Sequence, residues 1–144
     1  MGAFEICFYG WREGAGHKWF GPTNATDLWH IKKVNPQSMI HLTEKPVELA
    51  VLALQYSSRI GENVLDLFGG SGSTLIACEQ TGRKAFLMEL DAPYCDVIVD
   101  RWEKFTGQEG RESCDVTESG HMIAHVGLCR VVFKSGVILQ PWLT

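Results

Sequence analysis

A glycine-rich segment between an apolar run and a helical pattern is the part of this sequence best suited to bind a ligand. Residues 64–73 read V-L-D-L-F-G-G-S-G-S. Glycines at such a junction let the backbone approach a bound molecule closely, and they direct the N-terminus of the following helix at it. The segment therefore predicts a ligand site at the start of a helix.

Three classes of ligand compete for this loop. A P-loop requires a lysine directly after its last glycine, but Ser73 follows Gly72, so that class is excluded. A dinucleotide fingerprint requires a third glycine three residues after Gly72, where Leu75 stands, which disfavours a nicotinamide-dependent oxidoreductase. A nucleoside cofactor without a pyrophosphate needs only two glycines, and the loop favours this class.

Glu89 supplies the second half of the predicted site. It ends the next apolar run, roughly 20 residues after the glycine turn, where a carboxylate can accept hydrogen bonds from both ribose hydroxyls. The alternative is a solvated acid at the end of a strand. Because Glu89 follows the glycine turn in register, the ribose role is favoured.

The surrounding pattern predicts the elements that position these groups. Apolar runs at 63–68 and 84–90 are typical of buried parallel strands, and helical patterns follow at 74–81 and from 92 to about 105. Gly82 and Gly107 mark the two helix ends. Strand, helix, strand and helix in this order predict an α/β fold with a right-handed parallel crossover.

The flanking regions are less regular. Residues 46–59 predict a helix with Pro46 at its first position and one face formed by Val47, Ala50, Val51, Leu54 and Ser58. Short strands are predicted at 4–9 and 26–31 in an aromatic, glycine-rich region. From Arg111 the pattern weakens, and 126–142 predicts one or two strands without a place in the fold.

Composition narrows the class of protein. The chain has 144 residues, a formal net charge of -4 and 45% hydrophobic residues, as expected for one globular domain. No run of 18 apolar residues and no signal peptide are present, so we expect a cytoplasmic protein without a membrane partner. The five cysteines include no C-x-x-C pair, which argues against a disulfide framework or a metal site.

Three motifs together resemble a known family. H-L-T-E-K-P-V-E-L (41–49), D-L-F-G-G-S-G-S-T (66–74) and L-M-E-L-D (87–91) resemble, in the same order, the cofactor motifs of β-type DNA amino-methyltransferases, the adenine-N6/cytosine-N4 family that uses S-adenosylmethionine. Residues 8–21 resemble the preceding segment in phage and prophage members. The resemblance covers residues 4 to about 107. Within the first motif this sequence has Leu42 where the family has proline.

This resemblance implies a partial Rossmann-like methyltransferase fold that is incomplete at its N-terminus. Residues 1–110 would form the C-terminal half of the methylase domain, and 111–144 would form a tail of unassigned structure. The implied function is the S-adenosylmethionine-binding part of a site-specific DNA methyltransferase of the restriction-modification type. Its target would be an exocyclic base amine, adenine N6 in preference to cytosine N4. The alternative is a non-catalytic remnant or a nucleoside-binding assembly module.

The resemblance also assigns cofactor-binding residues. Asp66 would face the methionine amino group, and Thr43 and Lys45 would lie near the methionine carboxylate. Glu89 would hold the ribose. The remaining residues would wrap the methionine part (Phe68, Gly70, Ser71, Gly72) or contact the adenine (Met88, Leu90).

The catalytic motif of this family is missing from the sequence. Members carry (D/N/S)-P-P-(Y/F/W), whose polar groups bind the target amine and whose ring stacks on the flipped base. None of the five prolines here are adjacent, and Asp91-Ala92-Pro93-Tyr94 follows the ribose-binding strand, where the family opens a helix. No catalytic residue is therefore assigned, and we expect the isolated chain to be inactive.

Without the catalytic half, the strand at 63–68 would lack a neighbour. It could be covered by the tail at 111–144 or by a separate chain that carries the catalytic half, or the protein could be a remnant. Double-stranded DNA is the implied partner of the complete fold. An N-terminal region with cations and aromatic residues suits DNA contact, or else forms a small aromatic core with solvated lysines (Arg12, His17, Lys18, Trp19, Lys32, Lys33).

Overall fold

The sheet and its helices follow the predicted α/β order. The computed structural model describes residues 4–35, 37, 44–112, 131–132 and 138–141. In chain order the elements are α1 (Val47–Ser57), β1 (Asn63–Asp66), α2 (Ser73–Thr81), β2 (Lys84–Glu89), α3 (Ala92–Thr106), β3 (Arg111–Glu112), β4 (Val131–Val132) and β5 (Ile138–Pro141). The five strands form one sheet in the order β1-β2-β5-β4-β3.

Strands β1 and β2 are parallel, as the sequence predicted. Val64 lies opposite Ala85 and Asp66 lies opposite Leu87, with α2 connecting the two strands. Helices α2 and α3 end at the predicted glycines, whose N–H groups donate to the carbonyls of Cys78 and Glu103. The β-α-β-α unit is thus confirmed, with element bounds one or two residues from those expected.

The core lies between one face of the sheet and the three helices. Ala85 and Leu87 of β2 pack with residues of α1, α2 and α3, and the largest fully buried side chain is Trp102. Val47, Ala50, Val51 and Leu54 of α1 pack on this core, so the apolar face predicted for that helix is confirmed. Pro46 occupies the N-cap position, so the helix begins at Val47, one residue after the predicted start.

The outer edge of β1 is open within the part of the chain that the structure describes. The described strands of the C-terminal region extend the sheet on the other side, because β5 pairs in parallel with β2 and β4 pairs antiparallel with β5. The described strands between 111 and 141 therefore do not cover β1, contrary to one of the sequence-based alternatives. Leu65 of β1 remains 63% exposed on the face away from the helices.

The N-terminal region forms an aromatic cluster instead of strands. Neither 4–9 nor 26–31 is a strand, so both predictions were wrong. Aromatic rings of this region contact one another and α1: the Trp19 ring centroid lies 5.9 Å from that of Tyr9 and 5.0 Å from that of Tyr56 of α1, whereas Phe8 is exposed. The Phe20 N–H donates to the Tyr56 carbonyl (2.9 Å), which attaches this region to α1.

The described residues contain neither a membrane-spanning helix nor a cluster of metal ligands. No helix among them is long and apolar enough to cross a membrane. The same residues contain no group of three or more histidine, cysteine, aspartate or glutamate side chains that could hold a metal ion.

Trp102 is the residue on which the stability of this core should depend most. Its ring is fully buried and its Nε1–H donates to Glu79 Oε2 (3.0 Å), which links α3 to α2. We expect Trp102→Ala to lower the free energy of unfolding by about 3–5 kcal/mol, because it leaves a large cavity and an unpaired partner. Denaturant unfolding measures this. Phe105→Ala, at a half-exposed position on the same helix, should cost less than about 1 kcal/mol, and equal losses would contradict the packing described here.

Candidate functional site

The glycine loop and Glu89 meet at the carboxyl edge of the parallel strands. The loop follows β1, and Glu89 is the last residue of β2. The Gly70 N–H donates to Glu89 Oε2 (2.6 Å), and the Gly69 N–H donates to the Met88 carbonyl (2.7 Å). Ligands of open α/β sheets bind in the crevice at this edge.

The carboxylate of Glu89 is fixed in place yet has unused acceptor capacity. Its Oε1 accepts the Asp91 N–H (3.0 Å) while Oε2 accepts the Gly70 N–H. A carboxylate oxygen has two lone pairs, so each oxygen can accept one further hydrogen bond. Two donors on neighbouring atoms of a ligand, such as a ribose diol, would match this arrangement.

Two glycines give the loop its shape for different reasons. Gly70 and Gly72 have φ of +53° and +78°, which side chains disfavour. A Cβ at Gly72 would lie 3.1 Å from Ile98 Cγ2, so this glycine lets the loop pack against α3. A Cβ at Gly70 would meet only the Phe68 carbonyl oxygen, at 3.8 Å, so the backbone there has space for a ligand.

Apolar side chains are exposed beside this loop. Phe68 is 81% exposed and Leu90 is also exposed, while Met88 is half-buried. The Phe68 N–H donates to Asp66 Oδ1 (3.0 Å), which turns the chain directly after β1. Exposed rings and aliphatic groups next to polar acceptors suit a ligand with one flat apolar part.

The segment before α1 contacts the other side of the loop. Ser73 Oγ donates to the Lys45 carbonyl (2.7 Å), and Ser71 Oγ lies 3.3 Å from Ser73 Oγ. The Lys45 ammonium pairs with the Glu5 carboxylate at the surface. The main chain of Lys45 thus lies beside the loop, and its charge is engaged by Glu5. Thr43, which was predicted to act with Lys45, lies outside the described residues.

Among the described residues, two groups have shifted pKa values, and neither lies at this edge in a form that suits proton transfer. The hydrogen bond and the charge of Lys45 lower the pKa of the exposed Glu5. Burial raises the pKa of the Cys78 thiol in α2 to about 12. Cys78 therefore stays protonated at neutral pH and packs as a small apolar residue.

Sequence reasoning missed an arginine that contacts this loop. Arg101 Nη1 of α3 donates to the Ser71 carbonyl (2.9 Å) and lies 3.0 Å from Ser71 Oγ. The same nitrogen lies 2.9 Å from Glu44 Oε1, in the segment before α1. A signal was available, because Arg101 comes three residues after Ile98 and directly before Trp102, on the buried face of the helical pattern.

Gly72 should tolerate a side chain less well than another glycine of similar conformation. Gly72→Ala combines the left-handed backbone cost of ~1–2 kcal/mol with crowding against Ile98, which adds roughly 1–3 kcal/mol. Gly61→Ala is the matched control, because Gly61 has φ of +83° but a Cβ there would meet nothing within 4 Å. Denaturant unfolding of both variants compares them. A larger loss for Gly61→Ala would show that the loop does not pack on α3 in this way.

Comparison with known proteins identifies the family. Residues 16–100, more than half of the chain, match the N6/N4 DNA methylase family. The Type II methyltransferase M.Cfr9I of Citrobacter freundii is 31% identical over 98 residues, which cover 67% of this chain and 32% of the relative. The Type II methyltransferase M1.MboII of Moraxella bovis is 32% identical over 90 residues, which cover 55% of this chain and 35% of the relative.

The chain spans about a third of the length of these curated relatives. Among solved structures, the M1.HpyAVI–SAM complex has a TM-score of 0.46 and 26% identity, over 58% of this chain and 43% of that chain. The resemblance seen in the three sequence motifs is confirmed by the family match. This chain belongs to the N6/N4 DNA methylase family.

Proposed function

We propose that this chain binds S-adenosylmethionine and forms the cofactor-binding part of a site-specific DNA methyltransferase. The observation that carries the proposal is the 2.6 Å contact between the Gly70 N–H and Glu89 Oε2 at the carboxyl edge of two parallel strands. This contact holds the Glu89 carboxylate, which could accept hydrogen bonds from a ribose diol, beside a loop whose backbone has room for a ligand. Membership of the DNA methylase family supports the same cofactor.

Each part of the cofactor has a proposed contact in this chain. Glu89 would accept the ribose hydroxyls with its free lone pairs, and Met88 and Leu90 would contact the adenine. Asp66, with one oxygen bound to the Phe68 N–H, would accept the methionine ammonium with the other. When bound, S-adenosylmethionine supplies an electrophilic methyl group. The residues proposed around its methionine part are Thr43, Lys45, Phe68, Gly70, Ser71 and Gly72.

The fully buried Leu75 supports a single nucleoside over a dinucleotide. In the dinucleotide fingerprint a glycine at this place allows close packing of helix and strand around a pyrophosphate. Here Leu75 fills the space with a core side chain in α2. The loop therefore suits a nucleoside, which does not need the third glycine that a pyrophosphate site has at the place of Leu75.

Calorimetry with S-adenosylhomocysteine and NAD tests the cofactor. We expect the chain to prefer S-adenosylhomocysteine, and we expect Glu89→Gln to bind it at least about tenfold more weakly. Hydrogen bonds to a charged acceptor contribute ~1.5–3 kcal/mol each, and Gln has one acceptor oxygen where Glu has two. Asp91→Asn is the control, since this neighbouring carboxylate makes no side-chain cap to α3. Tighter NAD binding, or equal effects of the two substitutions, would refute the assignment.

The acceptor that we propose is an exocyclic amine of a DNA base, adenine N6 in preference to cytosine N4. The proteins named among the relatives are Type II methyltransferases, which supports DNA as the substrate. The N-terminal aromatic cluster offers exposed rings for base contact, for example Trp11, whose ring centroid lies 4.4 Å from that of His17 at an interplanar angle of 34°. Because the proposed substrate is DNA, we also propose a cytoplasmic location.

We propose that the catalytic motif comes from outside these 144 residues, in a linked segment or a separate chain. No two prolines are adjacent in the sequence, so a D-P-P-Y-type motif is absent. Asp91 to Tyr94 instead opens α3, where the Tyr94 N–H donates to the Asp91 carbonyl (2.9 Å). The open edge of β1 supports this proposal, because unpaired strand edges readily take up a further strand.

The isolated chain should transfer no methyl group to DNA even where it binds the cofactor. Nothing assigned in it holds the flipped base, and positioning two reactants contributes up to ~7–11 kcal/mol to lowering a barrier. The assay is incorporation of tritiated methyl groups into mixed-sequence DNA, with and without a separately expressed polypeptide from the preceding reading frame that carries a D-P-P-Y-type motif. Analysis of the methylated bases tells adenine N6 from cytosine N4.

The outcome of this assay distinguishes an active chain, a two-part enzyme and a non-catalytic module. Incorporation by the 144-residue chain alone would refute the proposed need for an outside motif. Incorporation only on mixing, and its loss with Glu89→Gln, would support a two-part enzyme. No incorporation in either case, with cofactor binding intact, would favour the alternative of a non-catalytic nucleoside-binding module.

A further inference from the structure

Arg101 connects three segments that are distant in sequence. Its Nη1 contacts the carbonyl and hydroxyl oxygens of Ser71 in the glycine loop and the carboxylate of Glu44 before α1, at 2.9–3.0 Å. Ser73 Oγ adds a second contact between the same loop and segment by donating to the Lys45 carbonyl. The loop after β1 and the segment before α1 are thus held together by α3.

The burial of this ion pair distinguishes it from an ordinary surface pair. The side chains of Arg101 and Glu44 are 20% and 4% exposed, whereas those of Lys104 and Asp100 on the outer face of the same helix are 75% and 60% exposed. Removing one partner of a buried pair leaves an uncompensated charge, which is far more disruptive than breaking an exposed pair. The position of the loop should therefore depend on Arg101 and very little on Lys104.

We infer that Arg101 is a positioning residue for the methionine side of the cofactor site. This inference rests on the proposed function, since it uses the division of that site into two parts. Ser71 and Lys45, which Arg101 and Ser73 hold together, belong to the part proposed for methionine. The part proposed for adenosine is built on the end of β2 and is tied to the loop through Glu89. Loss of Arg101 should shift the first part and leave the second in place.

A pair of ligands that differ in the amino-acid part tests this division. S-adenosylhomocysteine carries the amino-acid group, and 5′-methylthioadenosine retains the adenosine and the thioether without it. We expect Arg101→Gln to weaken binding of S-adenosylhomocysteine about tenfold or more, while affinity for methylthioadenosine changes by less than roughly twofold. Glu44→Gln should show the same pattern, and Lys104→Gln should change neither affinity.

A loss of affinity that is confined to S-adenosylhomocysteine distinguishes a positioning role of Arg101 from general support of the fold. Equal losses for both ligands, or no loss for either, would overturn the inference. Should Arg101→Gln fail to fold, Arg101→Lys is measured instead. It keeps the charge, but its side chain is shorter and its ammonium does not reach the position of Arg101 Nη1, so the contacts with Ser71 and Glu44 are lost and the same pattern is expected.

Hydrogen exchange of backbone amides tests the inference without a ligand. In Arg101→Gln the amides of residues 71–73 should exchange faster than in the wild type, while the Gly70 amide, which donates to Glu89, and those of 85–88 in β2 keep their rates. Unchanged exchange in the loop would overturn the positioning role. If the wild-type chain binds neither ligand, the proposed function fails, and this measurement still decides whether Arg101 holds the loop.

Discussion

The parallel register of β1 and β2 brings the ends of both strands to one edge of the sheet. Asp66 lies opposite Leu87, so the chain leaves β1 two residues before β2 ends at Glu89. A crossover through α2 is the connection that parallel strands require, and it returns the chain to the same edge. The contacts that join the glycine loop to Met88 and Glu89 depend on this register. A shift of one residue would turn Glu89 to the opposite face and remove its contact with Gly70.

The glycine loop is held from two sides by opposite charges. The carboxylate of Glu89 accepts the Gly70 N–H from the sheet side, and the guanidinium of Arg101 donates to Ser71 from the α3 side. Gly72 allows the loop to lie against Ile98, since any side chain there would crowd it. A loop fixed in this way is preorganised, which lowers the entropic cost of binding a ligand. The open backbone at Gly70 and the exposed ring of Phe68 then lie at the surface that a ligand can reach.

Among the described residues, the sheet leaves one face and the outer edge of β1 uncovered. One face of β1 and β2 is covered by helices, while the other presents Leu65, and the outer edge of β1 has no strand beside it among the described residues. This edge adjoins the loop of the candidate site. A segment added there would lie next to the proposed methionine part of the cofactor. This edge, unpaired among the described residues, carries the exposed Leu65, and strand edges of this kind readily pair with a further strand.

The sequence by itself determined the local elements and the chemistry of the loop, because both follow from residues that are close in sequence. The apolar runs, the glycines at 70, 72, 82 and 107, and Glu89 at a strand end were sufficient to predict the β-α-β-α unit, and three motifs in order were sufficient for the family. Aromatic residues at 4–9 misled, because a strand needs a partner and this segment pairs with no strand among the described residues, while Tyr9 contacts Trp19 and Trp19 contacts Tyr56 of α1. Only the tertiary structure decided that β5 extends the sheet beside β2 and that Arg101 meets Glu44 and Ser71. Those contacts join residues 30 to more than 50 positions apart, and their formation depends on how the elements pack, which local patterns do not specify.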